Sequence, residues 1–169
     1  MDIERRLTNA CKNKAPLSFI EGYLGKTSAQ SLNRIMTAAC LHGRDDIVKL
    51  LLVDDRVTPE MDLLDSACRY GHTAVVELLI NDMRIDLRGE DDAAFTNACT
   101  FGHTSTVKLM ITHPRFKATQ HDYKEGFWTA CAFGQREVAD FCLPGTMQGK
   151  LPWSFLDIYT SEDDDDDDT

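Results

Sequence analysis

Two cysteines stand four residues before a histidine, Cys68 before His72 and Cys99 before His103. A thiol beside an imidazole can be activated as a nucleophile, provided the two groups lie within hydrogen-bond reach. Six cysteines and five histidines also supply the ligand types that zinc prefers, provided four of them converge on one point. Neither condition fits the spacing. Gly71 and Gly102 fall between thiol and imidazole, and a turn glycine breaks the helical register that would align the pair. The arrangement also recurs, and a catalytic centre seldom repeats along a chain. The reading is therefore no catalytic residue, no metal ligand and no cofactor, with thiols and imidazoles serving the packing.

The elements that position these residues follow from the recurrence. A small pair ending in cysteine appears five times, as Ala10-Cys11, Ala39-Cys40, Ala67-Cys68, Ala98-Cys99 and Ala130-Cys131, at intervals of 29, 28, 31 and 32 residues. Around the middle copies whole segments match: ACLHGRDDIVKLLL, ACRYGHTAVVELLI and ACTFGHTSTVKLMI. A period near 30 residues marks supersecondary units that bury their apolar faces only against one another. Equivalent cysteines on neighbouring stacked helices stand about 8–10 Å apart axis to axis, further than the ~7 Å between Cα atoms that a disulfide tolerates. Reduced, buried thiols are expected, as in a reducing compartment.

Within the third unit Leu63, Leu64, Ala67 and Cys68 recur at helical spacing, and Gly71 supplies a left-handed stop. Thr73 is placed to cap a second helix over Ala74 to Ile80. Val75, Val76, Leu78 and Leu79 give that helix its apolar face. The order helix, glycine turn, helix, loop then repeats.

ACRYGHTAVVELLI and ACTFGHTSTVKLMI resemble the central segment of ankyrin repeats, A-A-x-x-G-H-x-x-V-V-x-L-L, over about residues 31–143. The resemblance implies an all-α fold, an ankyrin-repeat helical solenoid of about five helix-turn-helix units with loop connections. It also implies that the turn histidine braces neighbouring loops. The usual T-P-L-H opening is missing, with Ala93, Ala94, Phe95 and Thr96 in its place. Closing phrases of the D-P-R-V kind survive as Asp55-Arg56-Val57, Met83-Arg84-Ile85 and Pro114-Arg115-Phe116. Those arginines sit just beyond second helices, where positive charge suits the negative helix end, and the apolar residue after each is expected to tuck under the loop.

The ends depart from the pattern, as terminal units with one wet face must. Residues 1–30 read as a degenerate capping repeat, with Lys14 at the glycine position and Pro16 opening its second helix. Residues 31–143 hold the regular repeats. In 144–160, Pro144, Gly145, Gly149 and Pro152 forbid a continuous helix, yet Leu151, Trp153, Phe155, Leu156 and Ile158 are too apolar for a linker. That stretch is expected to fold over the last repeat as a cap, and 161–169 to be a disordered acidic tail.

Composition narrows the function. The net charge is −10, but Glu162 to Asp168 contribute seven of the 28 acidic residues, so the remainder carries −3. No basic stripe offers itself to phosphates, which argues against nucleic acid. No run approaches the ~20 apolar residues of a membrane span, and the start, MDIERRLTNACKNK, lacks a secretory apolar stretch. The expectation is a cytoplasmic monomer, or an effector exported into a host cell without a cleaved signal peptide.

The position before each turn glycine reads His42, Tyr70, Phe101 and Phe133. In ankyrin repeats this position ends the inner helix and faces the groove, so stacking would align these side chains as a column. Exposed rings provide contact area at low entropic cost, and Leu41, Arg69, Thr100, Met61 and Lys124 would rim them. These residues are the candidate partner-binding set, and the expected function is a protein–protein interaction module: adaptor, inhibitor or effector. The alternative is an acidic neutraliser that occludes a basic toxin or nucleic-acid enzyme through its tail.

Overall fold

The computed structural model describes residues 3–87 and 93–143, and the expected cap (144–160) and acidic tail (161–169) lie outside the described residues. Among the described residues the fold is all-α: ten helices and no strand. They are α1 (Ile3–Lys12), α2 (Leu17–Leu24), α3 (Ala29–Leu41), α4 (Asp45–Leu52), α5 (Met61–Arg69), α6 (Thr73–Asn81), α7 (Ala93–Thr100), α8 (Thr104–Thr112), α9 (Gln120–Ala132) and α10 (Arg136–Cys142). Odd-numbered helices pack in sequence, α1 on α3, α3 on α5, α5 on α7 and α7 on α9. Even-numbered helices do the same from α2 to α10. The described residues thus make five helix pairs, each in contact with the next.

One turn is built five times. The N–H of Ala15, Arg44, His72, His103 and Gln135 donates to the carbonyl of the alanine five residues earlier, at 2.7–2.9 Å. That six-to-one bond closes a helix through a left-handed residue. Gly43, Gly71, Gly102 and Gly134 supply it with φ between +65° and +73°. In the first unit Lys14 occupies the same place and adopts φ +52°. The degenerate unit therefore keeps the turn and bears the left-handed strain of a side chain, roughly 1–2 kcal/mol.

The alanine and cysteine at each helix end are small because neighbouring helices approach there. Ala39, Cys40, Ala67, Cys68, Ala98 and Cys99 are fully buried. Leu7, Ile35, Leu64 and Phe95 from the odd row meet Ile20, Val48, Val76, Leu79 and Val107 from the even row in one continuous core. Val57, Ile85 and Phe116 tuck under their loops and are buried, with Phe116 5.5 Å from the Phe95 ring.

Helix starts are less uniform. Ser28 caps α3 by accepting from the Ser31 N–H at 3.3 Å, and Thr119 forms a reciprocal capping box with Asp122 on α9. Thr73 does not cap α6 as expected: it is the first helical residue, and His72 holds the cap position without a side-chain bond. Its hydroxyl instead lies 2.9 Å from the Thr106 hydroxyl in the next unit. The six-to-one turn delivers the chain into helix two residues after the glycine, which shifts the threonine inward by one position. Among the described residues no helix is long and apolar enough to cross a membrane.

Candidate functional site: the turn edge

The turns form one edge of the molecule, held by side chains that reach back from each unit to the one before. His72 Nε2 lies 3.1 Å from the Leu41 carbonyl oxygen, and His103 Nε2 lies 2.9 Å from that of Arg69. Gln135 takes the same role, its Nε2 donating to the Thr100 carbonyl at 3.1 Å. In the second unit Arg44 stands at this position and reaches Ala15 O at 2.8 Å, while its fork pairs with Asp46. Each ring or amide seats against the preceding turn glycine: a Cβ on Gly43 would stand 2.5 Å from His72 Nδ1. Both histidines are therefore committed to carbonyls of the neighbouring unit.

The thiols are elsewhere. Cys68 Sγ lies 3.6 Å from Met110 Sδ, and the thiol beside Cys99 is that of Cys142. Burial pushes the Cys11 thiol up to about 11 and the Cys40 thiol to about 12. Cys68 is raised by burial, Cys99 by the Cys142 thiol beside it and then by burial. The same neighbour lowers Cys142. All six cysteines are free. The Cys99–Cys142 contact escaped the sequence reasoning, which compared only equivalent cysteines. The available signal was that Cys142 follows Cys99 by 43 residues and Met110 follows Cys68 by 42.

A second ladder runs along the opposite ends of the even helices. Arg84 pairs with Asp82 and donates to Val57 O at 3.0 Å and Leu52 O at 2.9 Å. Arg56 does the same with Asp54, Thr27 O and Leu24 O. Arg115 bonds the carbonyls of Ile80, Asp82 and Ile85, with the His113 ring in the aspartate's place accepting from its backbone N–H at 3.3 Å. Each arginine thus serves the helix end of the preceding unit, not of its own as the sequence reading had it. The side chain is long enough to cross to the next layer, where unsatisfied terminal carbonyls await a donor. Arg56 holds the Asp54 carboxyl down at about 2.

Against these fixed ladders the aromatic positions are open. His42, Tyr70 and Phe133 are the C-cap residues of α3, α5 and α9, and Phe101 directly follows α7. Tyr70, Phe101 and Phe133 keep 52%, 44% and 60% of their surface exposed, and His42 is half-buried. The rings do not stack on one another. Tyr70 lies parallel to His72 at 6.3 Å and Phe101 to His103 at 6.4 Å, while Arg69 crosses between units with its guanidinium 5.1 Å above the Phe101 ring. Tyr70 and Phe101 are thus each braced by a ladder histidine, with Arg69 laid over Phe101, while Gln135 holds the corresponding place after Phe133.

The rim residues divide. Leu41, Arg69 and Thr100 lie on this edge because their carbonyls accept from His72, His103 and Gln135 of the following units. Lys124 is exposed on α9. Met61 opens α5, and its side chain lies outside the described residues. Missing from the sequence reading is Trp128, 51% exposed on α9. Counting back three from each marker cysteine gives Thr8, Thr37, Asp65, Thr96 and Trp128. A position polar in the four other units suits water, and that was the signal.

Among the described residues no group of three or more histidine, cysteine, aspartate or glutamate side chains is placed to hold a metal ion. In comparisons with known proteins the chain matches no family model, no curated protein and no solved structure.

Proposed function

We propose that this chain is a short ankyrin-type solenoid that binds a protein partner along its turn edge, working as a monomer in the cytoplasm as an adaptor, inhibitor or effector. The observation that carries the reading is the contrast along that edge. Histidines, Gln135 and backbone carbonyls are consumed in holding units together, whereas Tyr70, Phe101 and Phe133 at equivalent positions are left open to solvent. Contiguous exposed apolar surface beside a rigid frame is characteristic of interaction sites, and rings already braced lose little entropy on binding. Arg69 over Phe101 adds a donor fork available to a carbonyl or carboxylate of the partner.

The test is affinity capture with the intact chain and with a Tyr70→Ser/Phe101→Ser/Phe133→Ser variant of unchanged helicity. The reading expects a partner held by the first and lost by the second, confirmed by titration of the purified pair. A partner bound equally by both would sink it.

A further inference from the structure

Among the described residues nothing covers one face of the last helix pair. Among the marker thiols, Cys40, Cys68 and Cys99 are buried, but Cys131 is only half-buried. The difference is what the following unit brings. Cys68 is met by Met110 from α8 and Cys99 by Cys142 from α10, each seven residues after the ladder residue of that unit (His103, Gln135). Nothing among the described residues plays this part for Cys131. Beside it on α9 stand Trp128 and Phe133, the first half-exposed and the second the most open of the turn aromatics. A Cβ on Gly134 would meet no described atom within 4 Å, whereas those on Gly43, Gly71 and Gly102 would strike the next unit's side chain.

The chain carries its own cover. Beyond Leu143 it continues for 26 residues, and Leu151, Trp153, Phe155, Leu156 and Ile158 concentrate apolar side chains within eight of them. At about 3.3 Å per extended residue, the stretch between Leu143 and Leu151 spans up to ~26 Å, enough to return from the end of α10 across α9, one helix spacing of ~10 Å away. The acidic run that follows is poorly suited to an apolar face, which places the cover before residue 161. We infer that residues 151–158 of this same chain dock on the end face of α9, burying Trp128 and Cys131. This does not depend on the partner-binding reading, since the face lies at the end of the row.

The experiment uses the full chain. Native alkylation of Cys131 is followed by peptide mass spectrometry in the intact protein and in a Trp153→Ser/Phe155→Ser variant. Docking predicts that the variant reacts at least roughly tenfold faster, because a covered thiol reacts only through local opening. Equal rates would overturn it, as would protection that rises with protein concentration, which would assign the cover to a second copy. A second measurement guards against a variant that unfolds. In a full chain carrying Trp128→Phe, the remaining Trp153 should emit as a buried indole and resist acrylamide. Emission and quenching like those of the urea-unfolded chain would refute docking by themselves.

Discussion

Gly71→Ala and Gly134→Ala place the same methyl group on nearly the same backbone and should give different answers. Both glycines are left-handed, φ +69° and +67°, so alanine costs each roughly 1–2 kcal/mol in backbone strain. At Gly134 the cost ends there, because no described atom lies within 4 Å of the added carbon. At Gly71 the carbon would stand 2.7 Å from His103 Cγ and Cε1, a separation that real carbons do not tolerate. The ring must leave, and its bond to the Arg69 carbonyl goes with it, a further ~0.5–1.5 kcal/mol. Gly71→Ala should therefore destabilise by about 2–3 kcal/mol, around 1 kcal/mol beyond Gly134→Ala, read as urea midpoints at constant slope. A double-mutant cycle isolates the cause: with His103→Ala already present, Gly71→Ala should fall to the Gly134→Ala value. Equal costs for the two glycines, or no coupling between Gly71 and His103, would show that the histidine does not lock the units.

Stability should decline in base. The thiols of Cys11 and Cys40 are raised from 9.0 to about 11 and about 12 by burial, so above pH 9 the unfolded chain releases protons that the folded one retains. Their contribution is complete below pH 9 and is lost as pH climbs toward those folded values, and Cys40→Ala should flatten the fall of the urea midpoint across that window. Arg84→Lys should destabilise by about 1 kcal/mol although charge is kept, since an ammonium lacks the fork that joins Asp82 to two carbonyls of the preceding unit. Thermal or urea unfolding reads it, and an unchanged midpoint would count against the arginine ladder as a fastener. Deleting residues 161–169 should leave partner affinity nearly independent of salt if the turn edge binds. Strongly salt-dependent binding that vanishes with the tail would instead favour the acidic neutraliser, because attraction between exposed charges is screened within about 10 Å at 0.1 M salt.

Much of the architecture was legible along the chain, and the reason is local chemistry repeated. The glycine turn, the helix pair around it and the alanine–cysteine marker depend on residues within about eight positions of one another, and five copies raise that local signal above chance. The bracing role of the turn histidine was what the resemblance to ankyrin repeats implied, and His72 and His103 each reach a carbonyl of the preceding unit. The helix caps were less legible: Thr73 has the right type for a cap, but the turn's six-to-one bond settled the register and moved it inside the helix.

By itself the sequence determined the period, the helical class and the positions of Tyr70, Phe101 and Phe133, because spacing is a property of the chain. Only the tertiary structure decided what each repeated side chain touches. It sent the arginines to the preceding unit's carbonyls, set Cys142 beside Cys99, laid the Arg69 guanidinium over the Phe101 ring, and among the described residues left Trp128 half-exposed and Cys131 only half-buried. Those contacts join residues 27 to 43 positions apart. They depend on how one unit is seated on the next, which no single unit's sequence encodes.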